Sequence, residues 1–548
     1  MLFMIDSDKI LLEIGLLLCV ILWIMAGIAE KYVSTKWRLA YILPAVLCMF
    51  FIAFKGFELS FLGAYIGFAL IAAGFFKDSR KLRRVVCIIG AVLMLTAIPI
   101  SSLNKNYRSV SFTKDFKEAF ETIEKHYVLT EHKGIDLDAL YEEYLPKFRQ
   151  AEKNNDEIEN CMVWLEFCSE FHDGHVNFMP SGDYEEVMSS VYERVLGNDY
   201  GLSVMKLSDG SFCAVNVDES LKAMGIFNGT EIISWDGVSP SVLGENEIKY
   251  CSFAADIDNE DFWRAAYGSG KGGDSVTVTF TDESGSEKTA VLPKTGESYY
   301  TRLKKTVETI DQGIEAGHLT WTDINETTAA LRIKMMMADY KSAESGDHSM
   351  LKGALREKAE ELKANGVDTL IFDMRGNSGG SGDMVKAIAE VFAPGGVHYY
   401  CTDALWDSEN ECYATDENGR FVKGTDVYYA GEDVWSHGRI IILVNSASVS
   451  AADHLAYIMR QFDNVTVAGF TESNGSAQGV GRVSLSCGGL SISGSLLLDE
   501  NGDVLIDGGT DRQSGNKLEL TVPFDKQAIK SLFDDGEDYI IKTLTDTE

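Results

Sequence analysis

The sequence is short of positive charge. Lysine and arginine number 49 against 83 aspartate and glutamate residues, which gives a formal net charge of −34 at pH 7. A surface of this sign repels the phosphate backbone of nucleic acid. The composition therefore excludes a nucleic-acid partner, and it keeps an exposed domain in solution without indicating its chemistry.

Metal and phosphate motifs are also missing. The ten cysteines follow no zinc-binding spacing, and the seven outside apolar runs are an odd number. Cys401 and Cys412 could be bridged across a predicted hairpin in an oxidising compartment, or both could be free thiols. The stretch GSGKGG at 268–273 has no Ser or Thr after its lysine and lacks the earlier glycine of a phosphate loop. We predict neither a metal nor a cofactor.

The first hundred residues lack polar faces. They contain four apolar runs that approach the length of a membrane-spanning helix, at residues 10–28, 39–54, 57–76 and 85–103. A cleaved signal peptide would show one short run, and a buried helical bundle is the remaining alternative. Basic residues crowd the first and third loops, which predicts that these loops are cytoplasmic. We expect a multi-pass protein of the cell membrane that contacts the lipid bilayer through residues 10–103, with the rest extracytoplasmic.

The remainder of the chain changes pattern twice. Apolar residues at three- and four-residue spacing predict helices over 108–171. Short strands with turn signals follow from about 199 to 295, and strands alternate with helices from about 325 to 525, as in α/β folds. We predict four parts: a four-helix transmembrane anchor, a helical subdomain, a small β-rich domain and an α/β core, at residues 1–104, 105–185, 195–298 and 299–548.

The β-rich part resembles a PDZ domain. The stretch AMGIFNGTEIISWDGV at 223–238 predicts a short helix, a turn, a strand and a tight turn in the PDZ order. GGDSVTVTF at 272–280 is similar to a later PDZ strand. Domains of this kind bind a peptide by adding it as a strand to a sheet edge. An unrelated small β-domain is the alternative.

Two strand ends in the α/β part carry candidate chemistry. LIFDMRGNSGGSGD at 370–383 follows a strand with a glycine-rich turn, whose bare N–H groups could stabilise an oxyanion. NSASVSAADHLAY at 445–457 places three serines, Ser446, Ser448 and Ser450, between a strand and a helix. Each stretch alone also fits a plain turn or a helix cap. Together they have the layout of a serine hydrolase site.

The segments DMRGNSGG, LVNSASVSAADHLA and VAGF, in this order, resemble the S41 peptidases, the family of the C-terminal processing proteases and the tricorn core protease. The resemblance extends over roughly 110–545 and includes LEFCSEFHDGHVNF. It implies a crotonase-like α/β catalytic core with a helical N-terminal subdomain and a PDZ-like insert. It also implies cleavage of protein or peptide substrates without a cofactor.

The resemblance assigns the nucleophile to Ser450 and makes Ser446 and Ser448 structural neighbours. It assigns the oxyanion hole to the backbone N–H groups of Ala451 and of the residues around Gly379 and Gly380. A lysine is the general base in one branch of the family, but its position falls on Gly475. No lysine occurs between Lys423 and Lys517, which makes a serine–lysine dyad improbable.

The tricorn-like branch uses a histidine instead, and His175 in HDGHVNF aligns with it. An unperturbed imidazole titrates near pH 6.5, which suits a general base. Such a base needs an acid to hold its tautomer, and Asp507 lies where that branch has a glutamate, with Asp511 as the competitor. His172 and His454 are the rival bases.

We therefore expect a membrane-anchored extracytoplasmic serine endopeptidase with a Ser450–His175–Asp507 site. The rival hypothesis is a catalytically inactive S41-fold module that binds a peptide or another ligand. A third reading, in which the spans sense or transport a solute, is disfavoured because the spans contain almost no ionisable residue.

Overall fold

The computed structural model describes residues 111–181, 184–251, 255–312, 319–337 and 347–546. The four predicted spans at 10–103 lie outside these ranges. Among the described residues, none of the helices combines the length and the apolarity needed to cross a bilayer. The described elements belong to one compact unit that begins at Ser111. Cys401 is buried and Cys412 is exposed in this unit, and both are free thiols.

The start of the unit is helical, as the apolar spacing predicts. Helices α1 to α4 span Phe112–His126, Thr130–Lys133, Leu137–Asn154 and Glu157–Ser169. Ser111, Asp136 and Asp156 cap α1, α3 and α4 because each side chain accepts a hydrogen bond from the N–H three residues further on. Stacked and edge-on rings fill the space between these helices, among them Phe116, Phe148, Trp164 and Phe167.

The β-rich part contains the predicted strands. After α5 (Tyr184–Leu196) come β2 (Ser203–Lys206), β3 (Phe212–Val215), α6 (Glu219–Lys222), β4 (Ile232–Trp235), α7 (Ile248–Cys251), α8 (Ile257–Gly268), β5 (Ser275–Thr281) and β6 (Glu287–Pro293). Strands β4, β5 and β6 form an antiparallel sheet, and β2 pairs with β3. Asp236 and Gly237 both have positive φ, which makes the predicted tight turn after β4. The likeness of this part to a PDZ domain stays a prediction.

A six-stranded sheet organises the α/β core. Its strands are β7 (Leu319–Asp323), β8 (Thr328–Ile333), β9 (Thr369–Asp373), β14 (Arg439–Leu443), β15 (Val465–Gly469) and β19 (Leu520–Thr521). The order is β19-β15-β14-β9-β8-β7, and every neighbouring pair is parallel except β7 with β8. The predicted α/β architecture is confirmed.

Helices cover both faces of this sheet. Leu370 and Phe372 of β9 share a buried cluster with α10 (Ser349–Ala364), α11 (Gly382–Phe392) and α12 (Ala451–Met459). Ile371, between them, packs on the other face against α14 (Tyr539–Asp546). Side chains alternate along a strand, so one apolar run can serve both layers.

Further strands lie beside the core. They are β10 (Gly396–Ala404), β11 (Trp406–Asp407), β12 (Cys412–Tyr413), β13 (Lys423–Gly431), β16 (Gly479–Ser484), β17 (Gly488–Ser495) and β18 (Leu497–Leu498). Helix α9 (Tyr299–Asp311) precedes the six-stranded sheet, and α13 (Lys526–Lys530) follows it. Strand β1 (Asn177–Pro180), just after α4, pairs antiparallel with β17. This pairing brings the segment before β1, which contains His175, next to β17 and the α/β core.

Candidate active site

The two predicted strand ends lie side by side. β9 and β14 are parallel neighbours in which Asp373 pairs with Leu443, so their following loops leave the same edge of the sheet. The loops are joined by hydrogen bonds: the Gly376 N–H donates to Asn445 Oδ1 at 2.9 Å, and the Val449 N–H donates to the Asn377 carbonyl at 3.0 Å. The glycine-rich turn and the serine-rich turn thus form one structure.

Ser450 occupies a strained turn at the start of α12. Its φ and ψ are 64° and −119°, which non-glycine residues seldom adopt. The Ser450 N–H donates to the Ser476 carbonyl at 2.8 Å and lies 3.2 Å from Asp453 Oδ2. These two acceptors hold the turn. Strain of this kind is typical of a nucleophile at a strand–helix junction.

The other two serines of the stretch at 445–457 are engaged elsewhere. The Ser448 hydroxyl is buried and donates to the Met374 carbonyl at 2.8 Å. Ser446 Oγ accepts a hydrogen bond from Trp263 Nε1 at 3.0 Å. Both contacts are structural, in keeping with the role expected for them.

The glycine loop lies directly against Ser450. A Cβ on Gly379 would stand 2.6 Å from the Ser450 Cβ and 2.7 Å from the Val449 carbonyl, and φ at Gly379 is +80°. Only glycine fits there. The Gly379 N–H donates to Asn377 Oδ1 at 2.8 Å, so it is already occupied. The N–H groups of Gly380 and Ala451 have no acceptor among the described residues.

Gly475, the position at which one branch of the family has a lysine base, has no space for a side chain. Gly475 has φ of +90°, and a Cβ there would meet Ser514 Oγ at 1.9 Å and the Gly515 nitrogen at 2.5 Å. Ser514 Oγ donates to the Gly475 carbonyl at 2.6 Å, which holds the two loops together. A lysine side chain therefore has no room to start from this residue.

His175 is buried next to the serine half of the site. Its Nε2 has no hydrogen-bond partner in the described part of the chain, and its Nδ1 lies 3.5 Å from Ser493 Oγ. Burial lowers the pKa of His175, and Lys133 lowers it further, while the Asp173 carboxylate acts to raise it. A depressed pKa keeps the imidazole neutral, as a general base requires.

Ser476 connects the histidine segment with the nucleophile. Its Oγ accepts the Gly174 N–H at 2.7 Å, while its carbonyl accepts the Ser450 N–H at 2.8 Å. Gly174 itself is too close to Asn474 and Ser476 to carry a side chain. No hydrogen bond joins His175 and Ser450 directly in the described residues, and catalytic contacts of this kind often form only with substrate bound.

Asp507 is buried near the site but is not hydrogen-bonded to His175. Its Oδ2 accepts the Ala477 N–H at 3.0 Å, and its Oδ1 lies 3.7 Å from Lys133 Nζ. Burial raises the pKa of Asp507 to about 7, against the opposing effect of Lys133. The competing Asp511 is exposed and accepts only from the nearby Gln513 N–H, so the buried position favours Asp507.

The rival histidines face other groups. His454 is buried with its Nε2 3.0 Å from the Tyr400 carbonyl, and its ring lies 4.2 Å from the Tyr400 ring. The carbonyl of His172 accepts from Lys133 Nζ at 3.0 Å. Burial lowers the pKa of both imidazoles to about 4.

Asp453 and Lys133 were not singled out from the sequence. Asp453 is fully buried and lies within 3.3 Å of the N–H groups of Ser450, Gly475 and Ser476. Its position three residues after Ser450 is that of a capping-box acid, which is a readable signal. Lys133 donates to the His172 and Gly508 carbonyls. Nothing in its local sequence marks it, because its partners are remote.

Two family models match parts of the chain. Residues 327–511 match the model of Peptidase family S41, and residues 110–158 match the Tricorn protease C1 domain. No curated protein matches the chain.

Solved structures resemble the chain at low identity. A mutant of CPAF is 15% identical with a TM-score of 0.50, over 79% of this chain and 96% of that one. Mature CPAF complexed with lactacystin is 14% identical with a TM-score of 0.49, over 80% and 99%. The photosystem II D1 C-terminal processing protease is 16% identical with a TM-score of 0.33, over 78% and 98%. The likeness to the CPAF mutant is one of fold. The two family matches lead to the conclusion that residues 327–511 form a domain of the Peptidase family S41 type and that the protein is a serine-type peptidase.

Proposed function

We propose that the protein is a membrane-anchored extracytoplasmic endopeptidase that cleaves protein or peptide substrates with Ser450 as nucleophile and His175 as general base. The observation that carries the proposal is the turn at Ser450. Its strained backbone lies against Gly379. The residues that follow Gly379 and Ser450 in the chain, Gly380 and Ala451, have N–H groups with no acceptor in the part of the chain that the structure describes. A serine hydrolase needs this combination of a nucleophilic hydroxyl and oxyanion donors.

In the proposed reaction, Ser450 Oγ attacks the substrate carbonyl while His175 Nε2 takes the hydroxyl proton. The negative charge that develops on the carbonyl oxygen is stabilised by the N–H groups of Gly380 and Ala451. Gly379 contributes by its close approach, since its own N–H is bound to Asn377. His175 then returns the proton to the leaving amine, and water repeats the sequence to release the acyl group.

Asp507 has a supporting part in this proposal. Its carboxylate accepts the Ala477 N–H, next to the Ser476 that binds both halves of the site. Its ion pair with Lys133 connects it to the loop of His172. Asp507 therefore supports the site by holding the backbone around Ser476, without a hydrogen bond to His175.

The β-rich part is proposed to present or gate an extended peptide as a PDZ-like domain. Its helix α8 touches loops that belong to the site: Asn259 Nδ2 donates to the Ser473 carbonyl at 2.7 Å, and Trp263 Nε1 donates to Ser446 Oγ. Movement of α8 on peptide binding would therefore reach the turns beside Ser450. The membrane anchor and the outside location are supported by the apolar runs and basic loops of residues 10–103.

The test is proteolysis by the purified full chain, with an unfolded protein and a peptide pool as substrates. The parent protein is expected to cleave, and the Ser450→Ala and His175→Ala variants are expected to be inactive while they keep the parent's melting temperature. Ser190→Ala, at a serine of α5 whose hydroxyl donates to the Glu186 carbonyl, serves as the serine control and should retain activity. Cleavage by Ser450→Ala would refute the proposal, and binding of peptides without cleavage by the parent would favour the inactive binding module.

A further inference from the structure

Two serine hydroxyls of β17 point to the histidine segment. Asn177 of β1 pairs with Ser491 of β17, and residues two apart on a strand share a face, so Ser491 and Ser493 lie on the same side. Ser491 Oγ donates to the His175 carbonyl at 2.7 Å. Ser493, which is completely buried, has its Oγ 3.5 Å from His175 Nδ1. The strand thus fixes both the backbone and the ring of His175.

Ser493 is also bound to a carboxylate. Its Oγ lies 2.8 Å from Asp173 Oδ2, to which it donates. The Tyr127 hydroxyl donates to the same oxygen at 3.1 Å, and the His175 N–H donates to Asp173 Oδ1 at 2.8 Å. Three donors are directed at this one buried carboxyl group, and both of its oxygens act as acceptors. Asp173 is therefore the carboxylate with hydrogen-bond connections to His175 on both its backbone and its ring side.

Counting protons assigns the histidine tautomer. A serine hydroxyl has one proton, and that of Ser493 is donated to Asp173. Towards His175 the hydroxyl oxygen can only accept, so Nδ1 of the neutral ring must carry the proton. Nε2 is then left with its lone pair, and it is the ring nitrogen without a partner among the described residues. This is the tautomer that can accept a proton from a serine nucleophile.

We propose that Asp173 and Ser493 are positioning residues for His175, forming a chain from Nδ1–H through the Ser493 hydroxyl to the Asp173 carboxylate. The inference rests on the proposed function of His175 as general base. In this proposal Asp173, and not Asp507, orients the imidazole of His175. The Asp507 carboxylate contacts Ala477 and Lys133 instead.

During the reaction no proton leaves the imidazole for Asp173. His175 Nε2 takes the proton of Ser450 Oγ, the ring becomes an imidazolium, and its positive charge is stabilised through Ser493 by the Asp173 carboxylate. The contact of 3.5 Å between Nδ1 and Oγ is long, and we expect it to shorten once the ring is charged, since hydrogen bonds to ionised groups are shorter.

Two charged groups act on the pKa of His175, and the other polar groups near it are neutral hydroxyls. Asp173 lies on its own loop and acts to raise its pKa, whereas Lys133 from α2 acts to lower it. β17 contributes the neutral hydroxyls of Ser491 and Ser493, and the neutral phenol of Tyr127 closes the far side of Asp173. Removal of the Asp173 charge should therefore shift the titration of His175 to lower pH.

The first test compares kinetics of full-chain variants on an unfolded protein substrate. Asp173→Asn should lower kcat on the order of 100-fold and Ser493→Ala roughly 10-fold, with KM little changed, because both act on proton transfer. Ser493→Thr keeps the hydroxyl and should restore most of the loss. In Asp173→Asn the acidic limb of the kcat/KM profile should move to lower pH. Ser203→Ala removes a buried hydroxyl from the β-rich part, which bonds with Tyr299 and Thr306, and should leave kcat unchanged.

The second test needs no catalysis. Nitrogen chemical shifts of histidine-labelled full chain report which ring nitrogen of His175 carries the proton, with His175→Gln used to assign the signal. We expect Nδ1–H in the parent and a mixture of tautomers in Ser493→Ala. An Nε2–H ring in the parent, or unchanged kcat in both Asp173→Asn and Ser493→Ala, would overturn the chain. Cleavage by Ser450→Ala would instead overturn the proposed function. The measured tautomer of His175 would still show whether Asp173 and Ser493 position its ring.

Discussion

The two halves of the site are built in different ways. The Ser450 half consists of two loops at one edge of a parallel sheet, held by backbone contacts and by a glycine with no space for a side chain. The His175 half is assembled from β17, α2 and the loop before β1, through hydroxyl and carboxylate side chains. Catalysis should therefore be most sensitive to added side-chain atoms in the Ser450 half. In the His175 half it should be most sensitive to the removal of polar side-chain atoms.

Gly379→Ala is expected to have the largest effect on the serine half. The new Cβ would lie 2.6 Å from the Ser450 Cβ, at a φ of +80° that alanine avoids, so the nucleophile must move. We expect kcat/KM to fall by at least about 100-fold, since small misplacements at a reacting centre have effects of this size. Proteolysis assays measure it directly.

Gly366→Ala is the matched control. Gly366 has φ of +89° but an added Cβ would meet nothing within 4 Å, so the variant carries the same backbone strain without the contact. Both variants should lose about 1 kcal/mol of stability from the positive φ. Equal loss of activity in both would show that strain, rather than contact with Ser450, is responsible.

Asp453→Asn should have an intermediate effect, in activity and in pH dependence. An amide has one acceptor oxygen for three backbone N–H groups, so a loss of about 10-fold in kcat is expected. Burial raises the pKa of Asp453 from 3.8 to about 7. The folded state therefore holds a proton that the unfolded chain releases near pH 4, and stability falls as the pH rises from about 4 to about 7.

The Asp453→Asn variant should lack the part of this decline in stability that is due to Asp453. Urea unfolding between pH 4 and pH 8 measures it, and the slope due to Asp507, whose pKa is also raised to about 7 by burial, should persist. Identical pH slopes in the parent and in Asp453→Asn would show that Asp453 does not titrate in this range.

His454→Gln is expected to have the smallest effect. The glutamine amide can replace the contact of Nε2 with the Tyr400 carbonyl, and this carbonyl faces His454 rather than the nucleophile. The change in kcat should be less than about 3-fold. A loss comparable to that of His175→Ala would make His454 the base and would remove the distinction between the two halves.

The serine half was largely predictable from sequence. A strand followed by a glycine-rich turn, and a strand followed by small residues and a helix, are local patterns, and parallel pairing then brings them together. In the structure, α11 begins at Gly382, directly after the glycine-rich turn, and α12 begins just after Ser450. The occupied N–H of Gly379 was not predictable, because it depends on the rotamer of Asn377.

The histidine half was predictable only in part. His175 was assigned by resemblance, but Ser493 is 318 residues away in the chain and its strand carries no distinctive motif. Asp173 stands two residues before His175. The resemblance points to Asp507 instead, because Asp507 lies where the tricorn-like branch has its glutamate. Contacts made by side chains across distant elements leave little trace in a single sequence.

The most direct measurement of the central claim is to find the serine that reacts with an organophosphorus fluoride. The intact protein is treated with diisopropyl fluorophosphate, digested, and mapped by mass spectrometry. We predict a single adduct on Ser450, formed at least about 100-fold more slowly in His175→Ala because the base is absent. An adduct on Ser446 or Ser448, or labelling of Ser450 that is independent of His175, would contradict the account.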